Sequence, residues 1–94
     1  MRLTAPQIAM HLLLGWASPF LAESNLDLKG RVQAGHEQLV FITGKDFGYD
    51  PQKWHEYLAK NNAAYRWSNL HLGMPKRIAK ALNNQEWQQV VQEM

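Results

Sequence analysis

Apolar positions fall on helical spacing over most of the chain, three and four residues apart. Leu28, Val32, Gly35, Leu39 and Ile42 make one stripe, predicting a helix that runs to Thr43. Trp54, Tyr57 and Leu58 share a face in a helix predicted over 51–60. Met74, Ile78, Ala81 and Leu82 face inward in a helix predicted from Pro75 to Asn83. Lys76, Lys80 and Asn83 lie opposite, with Arg77 beside them. In the last stretch Trp87, Val90, Val91 and Met94 repeat at helical intervals, while Gln85, Gln88, Gln89 and Gln92 face out. No stretch alternates with the period of two that a half-buried strand requires. The pattern predicts an all-α protein, a compact bundle of about five short helices in a single domain over residues 1–94.

Between the second and third predicted helices lies Thr43-Gly44-Lys45-Asp46-Phe47-Gly48-Tyr49-Asp50-Pro51-Gln52-Lys53-Trp54. Gly44 follows an apolar run and suits the left-handed position just past a helix end. Gly48, between two aromatics, suits a turn that needs positive φ. Asp50 is placed to accept from the N–H groups of a first helical turn, and Pro51 fits the first helical position. Phe47 and Tyr49 are too large and apolar for an idle surface turn, so at least one is expected to plug the gap between the helices. This segment resembles the T-G-x-D-F-G-Y-D-x-x-x-W stretch that closes repeats in bacterial HEAT-type helical proteins, where it follows a helix written A-x-x-x-L-x-x-L-T-G. Here residues 35–44 stand in that place, with Gly35 where alanine is expected. The resemblance spans residues 32–58, and no second copy of the repeat occurs. It implies a HEAT-like helix pair in the middle of the bundle and a bias toward protein binding, without a solenoid, which needs at least three units.

Residues 1–22 allow two readings. Arg2, the apolar stretch through Leu12-Leu13-Leu14, and Ala22 as a cleavage edge have the outline of a signal peptide. Pro6, Gln7 and His11 interrupt that stretch, and Phe20 sits where a small residue is preferred. The favoured reading is a first helix. Thr4 with Gln7 makes a capping box and Leu3 with Ile8 a hydrophobic staple. Ile8, Leu12, Gly15 and Trp16 share a face, and the helix must stop before Pro19. The helix reading goes with a cytoplasmic protein, the leader reading with a secreted or periplasmic one. The stretch is too short and interrupted to span a membrane, which takes about 20 apolar residues.

Ser24 or Asn25 is the expected cap of the second helix. Gly30 and Gly35 within it mark either the close approach of another helix, carrying Trp16, or a loose, marginal helix. Asn61-Asn62 should stop the third helix through Asn's tolerance of the left-handed conformation. Glu56 and Lys60 are spaced as an i,i+4 ion pair. Residues 63–72 fit neither period and read as a short helix or an ordered loop. Asn83-Asn84 should end the fourth helix and cap the fifth.

Charge and chemistry narrow the function further. The chain of 94 residues has no cysteine, so it has no disulfide framework and no thiolate metal site. Its net charge of +2 lies entirely in the last third, as Arg66, Lys76, Arg77 and Lys80 against Glu86 and Glu93. That is a modest patch, weaker than the field of a dedicated nucleic-acid binder. His11, His36, His55 and His71 are scattered, and no pair has metal-ligand spacing on one helix. His55 and Glu56 are adjacent and diverge by about 100° on a helix. There is no Gly-rich phosphate loop and no nucleophile elbow. Asp46 and Asp50 can meet in space, but turn and capping roles account for them better. We therefore expect no catalytic residue, no metal ligand, no cofactor and no evident small-molecule ligand.

Binding remains. Tyr65, Arg66 and Trp67 sit in the segment with no clear buried face, and these residue types dominate interface hot spots. The opposing reading has Trp67 completing a small core. The sequence predicts a small non-enzymatic protein–protein interaction domain, either an adaptor or an inhibitor or immunity-type binder. A self-complementary patch would make a homodimer instead. The alternative is a helix-turn-helix-like nucleic-acid binder, with Lys76, Arg77 and Lys80 on phosphates and the last helix's glutamines on adenine edges. Against it, that last helix carries Glu86 and Glu93 and no Lys or Arg, and its Trp87/Val90/Val91 face belongs in a core.

Overall fold

The computed structural model describes residues 4–15 and 27–93. Among them are five helices and no strand: α1 (Ala5–Leu13), α2 (Leu28–Thr43), α3 (Pro51–Asn61), α4 (Leu70–Leu82) and α5 (Gln85–Glu93). The all-α bundle expected from the hydrophobic spacing is the fold. The roles expected of Leu3, Trp16, Pro19, Phe20, Ala22, Ser24, Asn25 and Met94 fall outside the described residues.

The core is built around α1. Seven of its nine residues are buried, so it is enclosed rather than amphipathic. It packs along α2 and touches α3, while α5 bridges α2 and α4. Met10, Leu12 and Leu13 are fully inaccessible, and Met10 and Leu13 join Val32, Leu39, Trp54, Leu58, Met74 and Trp87 in one cluster. Gly35 explains how α1 comes so close. A Cβ built there would lie 2.4 Å from the Leu13 amide nitrogen and 2.7 Å from the Ala9 carbonyl oxygen. Of the two sequence readings of Gly35, close approach is therefore the right one, and the helix that approaches is α1.

The expected capping box between Thr4 and Gln7 forms, and both residues also reach across the fold. The Thr4 N–H donates to Gln7 Oε1 at 3.0 Å, and the Thr4 hydroxyl also donates to the Ala64 carbonyl at 2.8 Å. Gln7 is also buried, and its amide donates to the Tyr65 carbonyl at 3.0 Å. A local helix start is thus enlisted to hold the 63–69 turn.

The junction between α2 and α3 follows its local chemistry. Gly44 and Gly48 have φ of +70° and +64°. Asp50 Oδ1 accepts from the Gln52 and Lys53 amides, and Pro51 opens α3. Phe47 meets Trp54 edge-on at 4.9 Å and lies 5.4 Å from Tyr57, while Tyr49 packs 4.5 Å from His36. Both aromatics are half-buried, as the gap-plugging role requires. Trp54 closes the turn by donating its indole N–H to the Gly48 carbonyl at 2.8 Å.

Several boundaries differ from the sequence reading. Asp27 caps α2, with Oδ1 accepting from the Gly30 amide at 2.8 Å. Asn62 ends α3 in an extended conformation (φ −129°), not a left-handed one. It stops the helix by another means, accepting the Tyr65 N–H on its side-chain oxygen. No Glu56–Lys60 ion pair forms among the described residues. α4 begins at Leu70, so Pro75 is its sixth residue rather than its first. Pro75 cannot donate to the His71 carbonyl, a defect that costs about 3 kcal/mol in a helix interior. The buried Met74 and Ile78 on either side of it offset that loss. Leu82 is 39% exposed at the end of α4 instead of facing inward. Asn84 caps α5 as expected, accepting from the Glu86 and Trp87 amides.

Candidate partner-binding surface

The turn after α3 separates the three residues that the sequence grouped as a binding site. Tyr65 is fully buried, whereas Arg66 and Trp67 are exposed, Trp67 by 66%. Tyr65 therefore cannot offer its ring to a partner. It points inward because its backbone is tied on both sides, with its N–H on Asn62 Oδ1 and its carbonyl on Gln7.

Tyr65 instead centres a polar network that the chain order conceals. Its hydroxyl lies 2.6 Å from His55 Nδ1, and its ring centroid is 5.7 Å from His55 and 6.3 Å from His71. His71 Nδ1 lies 2.9 Å from the Ser68 carbonyl. One helix away, His11 Nδ1 is 2.7 Å from the Gln7 carbonyl and His11 Nε2 is 3.0 Å from Arg77 Nη1. A carbonyl only accepts and a guanidinium only donates. His11 must then carry its proton on Nδ1 and leave Nε2 bare, which makes it neutral.

The electrostatics agree with that assignment. Burial, with Arg77 beside it, holds His11 below its ordinary pKa of 6.5 despite the Gln7 carbonyl. Burial and then the neighbouring His71 lower His55. Burial pushes the Tyr65 phenol up, so it stays protonated, and its hydroxyl shares a hydrogen bond with His55 Nδ1. Among the described residues no buried side-chain nitrogen or oxygen lacks a partner. The network clamps α1, α3, α4 and the turn, and its proton positions are already satisfied internally. No group of three or more His, Asp or Glu among the described residues is placed to hold a metal ion.

A pH dependence follows from the sign of these shifts. A histidine with a lowered folded pKa binds fewer protons folded than unfolded, so its contribution is present above the unfolded value and lost below it. Stability should hold steady from pH 8 to 7 and decline as the pH falls through and below about 6.5. Urea titrations at pH 7.5, 6.0 and 5.0 measure this. Replacement of the half-buried His55 by Gln should flatten the decline, and an unchanged midpoint at pH 5.0 would contradict the neutral-histidine network.

Asp46 and Asp50 do not meet as a catalytic pair. The Asp46 carboxyl accepts from the Gly48 amide and lies 2.8 Å from His36 Nε2, and these two bonds, His36 first, hold its pKa low. Asp50 caps α3.

The basic helix is divided as well. Lys76 and Lys80 are exposed on α4, but Arg77 is half-buried against His11. On α5 the exposed glutamines share their surface with Glu86 and Glu93, while Trp87 is buried.

Among the described residues, the most exposed large apolar side chain is one that the sequence reading does not single out. Phe41 on α2 is 90% exposed, and Leu72 near the start of α4 is 69% exposed. A signal existed for Phe41: it is the one aromatic in α2 and it lies off the Leu28–Ile42 stripe. Phe41 borders a recess with Ala5 and Ile42. The Thr4–Ala64 bond brings the Trp67 turn to the same end of α1. No helix among the described residues is long and apolar enough to cross a membrane. No protein-family model, curated protein or solved structure matches the chain.

Proposed function

We propose that the protein is a small, non-enzymatic protein–protein interaction domain that docks through the surface beside the start of α1, with Phe41 and Trp67 as its anchors. One observation carries this: a phenylalanine in the last turn of α2 is 90% exposed next to an apolar recess. Burying such a side chain contributes roughly 1.5–3 kcal/mol, which is what an interface anchor supplies. Arg66 beside Trp67 adds a flexible cation at the rim. The resemblance of residues 32–58 to the helix pair of HEAT-type proteins supports the same class. Against an enzyme, the titratable groups that the fold gathers have internal partners: His55 and Tyr65 pair with each other, and His11 meets the Gln7 carbonyl and Arg77.

The nucleic-acid reading keeps only Lys76 and Lys80 as exposed cations on α4, opposed by the carboxylates of α5. Six to ten phosphate contacts are typical of a tight duplex binder.

The test is capture by the tagged full chain from its native extract, with and without nuclease, alongside sedimentation of the purified protein for self-association. Phe41→Ala with Trp67→Ala should weaken capture or self-association about tenfold or more while moving stability by under about 0.5 kcal/mol. Equal capture by the double variant would overturn the docking surface. A monomer that captures nothing would overturn the class. Recovery that vanishes with nuclease would favour the α4 cations.

A further inference from the structure

We infer that the cleft between α3 and α4 binds a small primary amine with a short apolar body. It shares no lining residue with the recess beside Phe41, so it goes beyond the proposed docking surface. The cleft has a volume of about 270 Å³. Gln52, His55 and Glu56 form one wall, and Pro75, Ile78, Ala79 and Leu82 form the other. Each set falls at helical spacing, so each wall is one face of one helix. The walls differ in kind. α3 supplies polar groups, and α4 supplies only hydrocarbon.

The charge on the polar wall points to a cation. Glu56 is the single carboxylate on the lining, which includes no Lys or Arg. It is exposed, and among the described residues it has no ion pair; Lys53 and Lys60, within about one turn of it, do not pair with it. Gln52, on the same face of α3, is exposed as well, and its amide oxygen accepts. His55 completes the wall. Its Nδ1 lies 2.6 Å from the Tyr65 hydroxyl, which fixes the ring, while burial and then the nearby His71 hold its pKa low. At neutral pH the imidazole therefore adds no positive charge to oppose an ammonium. An ammonium has donors and no acceptor, which matches a carboxylate with an amide oxygen beside it.

The apolar wall sets the body of the ligand. Ile78 is buried at its floor, while Ala79 and Leu82 are exposed. Leu82 belongs to the inward stripe of α4 by its spacing, yet the fold leaves it uncovered beside the cleft. The hydrocarbon of a bound amine would cover it. Ligand pockets usually measure about 300–1,000 Å³, so a cleft just below that range has room for a single ring and excludes a polycyclic amine. The two walls come from different helices, and no one stretch of sequence carries the site.

The experiment is an NMR titration of the full chain at pH 7.5, read at the Ile78 and Leu82 methyl groups, the Ala79 amide and the His55 ring. The probes are phenethylamine, phenylethanol and phenylpropionate, which share a body and differ in charge. Expected is saturable binding of phenethylamine at about 1 mM or tighter, with the alcohol several-fold weaker and the carboxylate weakest. Glu56→Gln should weaken phenethylamine about three- to fivefold and leave the alcohol unchanged. Ala79→Leu fills the cleft from an exposed position and should abolish saturation. The same spectra report whether each variant is folded. Linear shifts without saturation, equal affinities for the three probes, or an unchanged affinity in Glu56→Gln would overturn the proposal. A short lysine-containing peptide that binds the cleft more tightly than phenethylamine would overturn it in favour of a protein side chain.

Discussion

Gly35→Ala should destabilise the protein by about 3 kcal/mol or more, measured by urea denaturation followed in the far-UV. On helix propensity alone the change should help, since alanine exceeds glycine by about 1 kcal/mol in a helix. The packing outweighs that gain. The new methyl would lie 2.4 Å from the Leu13 nitrogen, 2.7 Å from the Ala9 oxygen and 2.9 Å from the Leu12 carbonyl carbon. All three are backbone atoms, and no rotamer change can move them. Relief requires α1 to shift away from α2 by the better part of an ångström, and α1 is the most enclosed element of the fold. Its shift would open gaps beside Met10 and Leu13. Gly73 supplies the control. A Cβ there meets nothing within 4 Å, so Gly73→Ala in α4 should stabilise by about 0.5–1 kcal/mol. The same substitution thus has opposite signs at two helical glycines. A Gly35→Ala midpoint equal to that of the wild type would mean that the two helices do not cross as closely as described.

Trp54→Ala should cost about 3–5 kcal/mol, the range for removing a large buried aromatic. A chain of this length has roughly 5–14 kcal/mol of total stability, so the loss is roughly a fifth of it or more. Trp54 is fully buried, packs edge-on against Phe47 and donates to the Gly48 carbonyl. It joins three things that would otherwise be separate: the positive-φ turn, the first turn of α3 and the core. Trp54→Phe divides the effect. It keeps most of the apolar volume and removes the donor to the Gly48 carbonyl, a loss of about 1–3 kcal/mol if that carbonyl stays shielded from water. Guanidinium denaturation should rank wild type above Trp54→Phe and Trp54→Phe above Trp54→Ala. Equal losses in the two variants would place the whole effect in the hydrogen bond, and a negligible loss in both would remove Trp54 from the core.

The features read correctly from the sequence share a short range. Asp50-Pro51, Asn84, Gly44 and Gly48 each act on backbone groups within about four residues. The errors share the opposite property. Pro75 looked like a helix start because that is its cheapest position. It sits one turn further in because the buried Met74 and Ile78 offset the missing bond. Asn62 was assigned a left-handed stop, but its side chain found the Tyr65 amide instead. Tyr65 seemed available because residues 63–72 have no period. Its burial depends on Gln7, 58 residues earlier. Of the candidate site, only Arg66 and Trp67 were legible as surface. Phe41 was visible only as an apolar residue on the wrong side of its stripe.

The sequence by itself determined that this chain makes helices, roughly where they run, and how the turn between α2 and α3 is built. Those outcomes rest on periodicity, caps and φ preferences, which act within a turn or two of chain. The tertiary structure alone decided that α1 is the central helix, that Gly35 is the space it needs, and that His11 meets Arg77 across 66 residues. It also decided which side chains were left on the surface. Burial is a property of pairs of elements, and no single stretch of sequence records which partner will cover it.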